Sequence, residues 1–142
     1  MKIRLLMLGK TRGGEAGTML SEYVKRIGWS CPIEVNDVRD GEAAIKKLDA
    51  NRAATALLLD AGGKTYDSVA FAKWIGELRD RGTREVIFVC GDADGFPDEL
   101  RERVKQKISL SMMTYSHELA RVMLAEQIYR AFAILSGSPY PK

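Results

Sequence analysis

The side chains best suited to chemistry fall in three stretches: Asp60-Ala-Gly-Gly-Lys64, Gly91-Asp-Ala-Asp-Gly95 and Ile108-Ser-Leu-Ser-Met-Met-Thr-Tyr-Ser-His117. In the second, glycines allow a tight turn and a close approach of backbone to a ligand. Asp92 and Asp94 would repel a phosphate, and the stretch is neither GxGxxG nor a P-loop. Two carboxylates there suit a ligand that carries positive charge; a plain Gly-bounded turn is the competing reading. For Asp60–Lys64 the alternatives are a pocket-lining loop and a solvated one. His117 is the only histidine. An imidazole is the side chain most often used as a general base near neutrality. His117 also follows Ser116 at a helix start, where a structural or solvated role serves equally well. No Ser-His-Asp or Cys-His arrangement stands out. Arg101, Arg103, Lys105 and Lys107, with Arg79, Arg81 and Arg84, form either a solvated surface or a phosphate-gripping face whose binding would fall with salt. Arg121 and Arg130 are placed to act similarly at a pocket mouth or subunit interface.

Strands and helices alternate around these stretches. Residues 2–8 read as a strand with Ile3, Leu5 and Met7 on one side. Residues 15–27 carry Met19, Leu20, Tyr23, Val24 and Ile27 at helical spacing. Ile33–Val38 alternates as a strand, and 41–52 favours helix. Thr55–Asp60 and Glu85–Cys90 are short apolar runs ending in glycine-rich turns, the pattern of buried parallel strands. Asp67 or Ser68 can cap a helix through about Arg79. Pro97-Asp98 opens another. A last strand is expected over Ile108–Met113, followed by a long helix apolar along Leu119, Val122, Met123, Ile128, Phe132 and Leu135. The order predicts an α/β fold with a mostly parallel sheet flanked by helices. In such sheets ligands bind beyond the carboxyl ends of the strands. The loops after Asp60, after Cys90 and after Leu110–Met113 therefore compete for function.

The 142 residues suit one domain spanning 1–142. Hydrophobic residues make up 46% and charged residues 29%, as in ordinary globular proteins. No apolar run is long enough for a membrane span. The opening Met1–Gly9 is too short and too charged for a signal peptide and reads as a strand. Cys31 and Cys90 lie far apart with no CxxC spacing, which with one histidine argues against a metal site. Both are expected to be reduced, as in the cytoplasm. A net charge of +3 permits nucleic-acid binding without requiring it.

Taken together, the stretches resemble a known family. Lys2–Gly9 with Lys10, Glu22-Tyr23-x-x-Arg26, Leu59-Asp60-x-x-Gly63-Lys64, Gly91–Gly95, Leu110-Ser111, Met113-Thr114, His117, Arg121-Val122, Glu126-Gln127-x-Tyr129-Arg130-Ala131 and Pro139-Tyr140 occur in one order along nearly the whole chain. That set is similar to the RlmH (YbeA) type of large-subunit ribosomal RNA pseudouridine N3-methyltransferase, minimal members of the SPOUT class. The resemblance implies a C-terminal trefoil knot, S-adenosylmethionine as cofactor, a homodimer, and 23S ribosomal RNA of the large subunit or assembled ribosome as partner. It places cofactor contacts on Leu59, Gly91, Leu110, Ser111, Met112, Met113, Thr114 and Tyr115. Tyr140 and Arg121 would handle substrate with His117 nearby, and Arg130 is a weaker candidate. The short tail would approach the partner subunit's pocket.

Two positions depart from the family pattern. Pro141 stands where a histidine commonly follows the tyrosine, and Asp92 stands where a second glycine is usual. The alternative reading is a cofactor- or RNA-binding SPOUT protein with lost or altered catalysis. A nucleotide- or phosphoester-binding α/β domain is a third, disfavoured by the acidic glycine loop. The dimer also has a residue-level basis, since Leu124 and Ala131 widen the apolar arc of the last helix beyond its main stripe.

Overall fold

The computed structural model describes residues 1–10 and 13–140. The elements run β1 (Lys2–Leu8), α1 (Gly14–Ile27), β2 (Ile33–Val38), α2 (Gly41–Asp49), β3 (Thr55–Thr65), α3 (Ser68–Asp80), β4 (Glu85–Cys90), α4 (Asp98–Arg103), β5 (Lys107–Ser109) and α5 (His117–Ser136). The five strands form one sheet in the order β2-β1-β4-β3-β5, and every pairing is parallel. The α/β expectation is met. Among the described residues no helix is long and apolar enough to cross a membrane.

Side chains alternate across a strand, and that alternation builds two cores. Ile3, Leu5 and Met7 of β1, with Val86, Phe88 and Cys90 of β4, face α1, α3 and α5. Leu6 and Leu8, with Ile87 and Val89, face α2 and α4. β4 is central and all six of its residues are buried, which is why its sequence reads as a continuous apolar run. Full burial of a large apolar side chain such as Ile87 or Phe88 stabilises the fold by roughly 1.5–3 kcal/mol before entropy is counted.

Three features differ from the sequence expectation. β3 does not stop at Asp60. Leu59 and Lys64 both pair with Ile108, so residues 60–63 leave the ladder and return to it. A Cβ on Gly63 would lie 2.6 Å from the Lys107 carbonyl carbon, so only glycine admits the two backbones so close together. β5 is short, ending at Ser109 rather than Met113. The hydroxyls explain it. Ser109 Oγ accepts from the Ser111 amide at 3.2 Å and donates to the Ser111 carbonyl at 2.8 Å, and Ser111 Oγ accepts from the Met113 amide at 3.0 Å. Side chains that bond their own backbone compete with a strand ladder. Finally, the buried face of α5 keeps only part of the predicted stripe. Val122, Ile128 and Phe132 lie in the core together with Leu124, Ala125 and Ala131, whereas Leu119 is 52% and Met123 37% exposed. The shift follows from α5 packing against both α1 and α3.

Candidate active site

The carboxyl ends of β3, β4 and β5 converge on one cavity of about 460 Å³. That lies within the roughly 300–1,000 Å³ usual for small-molecule sites. Leu59 and Asp60 come from β3, Cys90 and Gly91 from the end of β4, and Leu110 from the loop after β5; the start of α5 supplies His117 and Ala120. All three loops singled out in the sequence thus meet. Of the predicted cofactor contacts, Leu59, Gly91, Leu110, Ser111, Met113, Thr114 and Tyr115 line the cavity. Met112 does not: it lies outside the lining and is 89% exposed, because the serine-bonded turns direct it outward.

The acidic glycine loop is built without strain. The Asp94 amide donates to Asp92 Oδ1 at 2.9 Å, and the Gly95 amide donates to the Asp92 carbonyl at 3.0 Å. No residue other than glycine has positive φ among the described residues, so Asp92 adopts an ordinary conformation where the family usually has glycine. At Gly91 a Cβ would lie 3.2 Å from the Gly95 carbonyl oxygen, so a larger residue there would need the loop to shift by a few tenths of an ångström. Asp60 Oδ2 accepts from Arg101 Nη1 at 3.0 Å and lies 3.9 Å from Lys107 Nζ. Burial pushes the Asp60 carboxyl up, but the Arg101 hydrogen bond and charge, the Gly62 amide and Lys107 outweigh it and hold it below its ordinary value. Burial pushes the Cys90 thiol up to about 12, so at neutral pH it is apolar wall and not a nucleophile. Both cysteines are free.

The three residues expected to handle substrate are dispersed. His117 lines the cavity as the first residue of α5, behind the Ser116 cap that accepts from the Leu119 amide at 3.3 Å. Arg121, one turn on, is 3% exposed. Its Nη2 donates to the Leu8 carbonyl at 2.6 Å and to the Gly91 carbonyl at 3.0 Å. The guanidinium therefore ties together the ends of β1 and β4 behind the cavity. Tyr140 does not line its own chain's cavity. Its hydroxyl donates to Glu126 Oε1 at 3.0 Å, its ring packs against Tyr129 at a tilt of 56° with centroids 4.6 Å apart, and Arg130 lies 5.5 Å over it. Burial, then hydrogen bonds to Tyr23 and Glu126, push the phenol well above its ordinary value, so it serves as a donor and not as a base. Arg130 pairs with Glu126. Pro141 lies outside the described residues.

Sequence reasoning did not assign Phe96, Arg101 and Ala120 to the site, yet all three line it. Phe96 adjoins the glycine loop and could have been found by extending that stretch one residue. Arg101 was indistinguishable from its basic neighbours. The basic cluster around it is largely paired, with Arg101 on Asp60 and Arg103 on Asp49 at 2.8 Å.

The chain matches the family described as "Predicted SPOUT methyltransferase" over residues 1–141. It is 39% identical to a protein of Trichlorobacter lovleyi named ribosomal RNA large subunit methyltransferase H, with 99% of each chain covered. Its fold is similar to the crystal structure of a tRNA (m1G37) methyltransferase from Aquifex aeolicus, with a TM-score of 0.61 and 15% identity over 100% of this chain and 75% of that one. It is also similar to a putative methyltransferase of Legionella pneumophila in complex with the cofactor SAM, with a TM-score of 0.57 and 15% identity over 92% and 66% of the two chains.

Proposed function

The chain belongs to the SPOUT methyltransferase family, and from that premise we propose that it transfers a methyl group from S-adenosylmethionine to N3 of a pseudouridine in large-subunit ribosomal RNA. The observation that carries the reading is the convergence of three strand-end loops on one cavity with apolar walls and two carboxylates. The residues present suit that cofactor. Leu59, Phe96, Leu110 and Ala120 offer apolar surface, Asp60 and Asp92 offer negative charge, and the loop backbones supply donors and acceptors. When bound, the cofactor supplies a methyl group activated by a positively charged sulfur.

The substrate nitrogen is a weakly acidic imide. Its proton must leave, and its lone pair then bonds the methyl carbon as the carbon–sulfur bond breaks. The chain's work is to position, to exclude water and to stabilise the imide anion. His117, at the cavity wall, is the group placed to take or hold the imide proton. Tyr140, held protonated, is placed to donate a hydrogen bond. Arg121 is a positioning residue that fixes the Gly91 carbonyl and, through it, the glycine loop.

Tyr140 can reach a cavity only in an assembly of two copies, so the proposal includes a homodimer in which the tail of one chain approaches the cavity of its partner. Leu119 and Met123, exposed on α5 and continuous with Tyr115 at the cavity wall, support that surface. The proposal further includes one domain over the whole chain, action in the cytoplasm on the large subunit or the assembled ribosome, and the trefoil knot that the family resemblance implies.

Labelled methyl transfer to ribosomes and large subunits lacking this modification tests the substrate. Incorporation into 23S RNA at a pseudouridine is the expected result. Intact cofactor binding with no transfer to either substrate would sink the substrate assignment.

A further inference from the structure

The charge of the cavity is set by few side chains. Arg101 reaches from α4 to Asp60 in the bulge of β3, with Nη1 to Oδ2 at 3.0 Å, and its guanidinium lies 5.5 Å from the Phe96 ring centre. Among the described residues that line the cavity, Arg101 alone bears a permanent positive charge, against the carboxylates of Asp60 and Asp92. Asp92 Oδ1 is engaged by the Asp94 amide. Asp60 stays ionised, since its net shift is downward. Lys107 Nζ, 3.9 Å from the same Asp60 oxygen, is a second and more distant counter-charge.

We propose that Arg101, by neutralising Asp60 at the cavity wall, sets how strongly the site prefers the positively charged methyl donor over the neutral thioether left after transfer. The inference rests on the cofactor reading above. S-adenosylmethionine and S-adenosylhomocysteine differ by one methyl group and one positive charge at sulfur. The ratio of their affinities therefore reports the potential at sulfur, while shared contacts cancel. A cavity of this volume spans on the order of one Debye length, ~8–10 Å, so wall charges act across it with little screening. With Arg101 neutral, the Asp60 carboxylate faces the cavity balanced only by Lys107 and attracts a cation. With Asp60 neutral, Arg101 is uncompensated and repels one. Either change also loosens the loop of residues 60–63. That loosening lowers both affinities together and leaves their ratio alone. A moderate preference serves turnover, because the spent cofactor must not be outcompeted so weakly that it blocks the site.

Calorimetric titration of the full chain with S-adenosylmethionine and with S-adenosylhomocysteine provides the test, using the wild type, Arg101→Gln, Asp60→Asn, the double variant and Arg101→Lys. Preference for the charged compound is expected to rise about twofold to threefold in Arg101→Gln, where Lys107 remains. It is expected to fall about threefold or more in Asp60→Asn, and to return towards the wild-type ratio in the double variant. Arg101→Lys keeps the charge and should keep the ratio. The inference is overturned if the ratio is unchanged while both affinities drop, if both single variants move it in one direction, or if Arg101→Lys shifts it as far as Arg101→Gln. Should Arg101→Gln fail to fold, the Asp60→Asn and Arg101→Lys ratios decide the matter. A wild-type chain that binds neither compound overturns the cofactor reading itself.

Discussion

Arg121 donates from Nη2 to the carbonyls of Leu8 and Gly91 while almost wholly buried. A side chain so placed works on the backbone around it. Arg121→Met would leave both carbonyls without this donor, at about 1–3 kcal/mol each for a buried polar group. The expected loss is about 2–4 kcal/mol in chemical denaturation, accompanied by weaker cofactor binding. Unchanged stability with a lowered kcat would instead place the guanidinium on substrate. Asp60 supplies a pH dependence. Its carboxyl is held below its ordinary value, because Arg101, Gly62 and Lys107 outweigh the upward push of burial. The unfolded chain therefore binds the proton more readily than the folded one. The stabilisation is complete above the free carboxylate value of about 3.9 and is lost as pH falls through the lower native value. A denaturation series across the acid range should show a steep limb that is shallower in Asp60→Asn. Equal slopes would mean that the Arg101 pair adds nothing to stability.

Helix caps separate scaffold from site at the scale of elements. Asp67 caps α3 by accepting from the Ala70 amide at 2.7 Å, and Ser116 caps α5 by accepting from the Leu119 amide at 3.3 Å. Each is a side-chain oxygen satisfying a helix-start amide, and replacing either by alanine should cost about 0.5–2 kcal/mol. Only Ser116 lines the cavity. Asp67→Ala should therefore lower Tm with little change in cofactor affinity, whereas Ser116→Ala should lower both. Equal effects on affinity, read by calorimetry, would argue that the start of α5 does not shape the site. The loop before α5 shows how a strand-like sequence leaves the sheet. Ile108–Met113 is rich in residues that tolerate extended backbone, but Ser109 and Ser111 bond their own neighbours. The ladder ends at Ser109, and the freed segment becomes a wall of the cavity.

At the scale of the whole molecule, the exposed residues of α5 form the surface of the proposed homodimer. Leu119 and Met123 on the helix, with Tyr115 in the loop just before it, extend outward from the cavity wall. Leu124 and Ala131, which suggested a dimer surface in the sequence, are core residues facing the sheet. In the proposed homodimer, Leu119→Glu and Met123→Glu each bury a charge in an apolar interface. Sedimentation at micromolar concentration should show the wild type as a dimer and the double variant as a monomer that still binds cofactor. A stable wild-type monomer would remove the route by which Tyr140 reaches a cavity.

Alternating apolar runs and glycine-bounded turns made most of the architecture legible, because burial on both faces forces continuous hydrophobicity in β4 and burial on one face forces a helical period in α1 and α3. The same logic located the three loops, since a parallel sheet exposes its unpaired backbone at the strands' carboxyl ends. What the amino-acid order determined was thus the element types, the loops that carry chemistry and the family. The tertiary structure alone decided which side chains those loops present. It turned Met112 outward, sank Arg121 between two strand ends, and brought Arg101 over from α4 to Asp60. The Arg121 and Arg101 contacts join residues 30 to 113 positions apart. Local periodicity carries no information about them, because they depend on the order in which the strands assemble in the sheet.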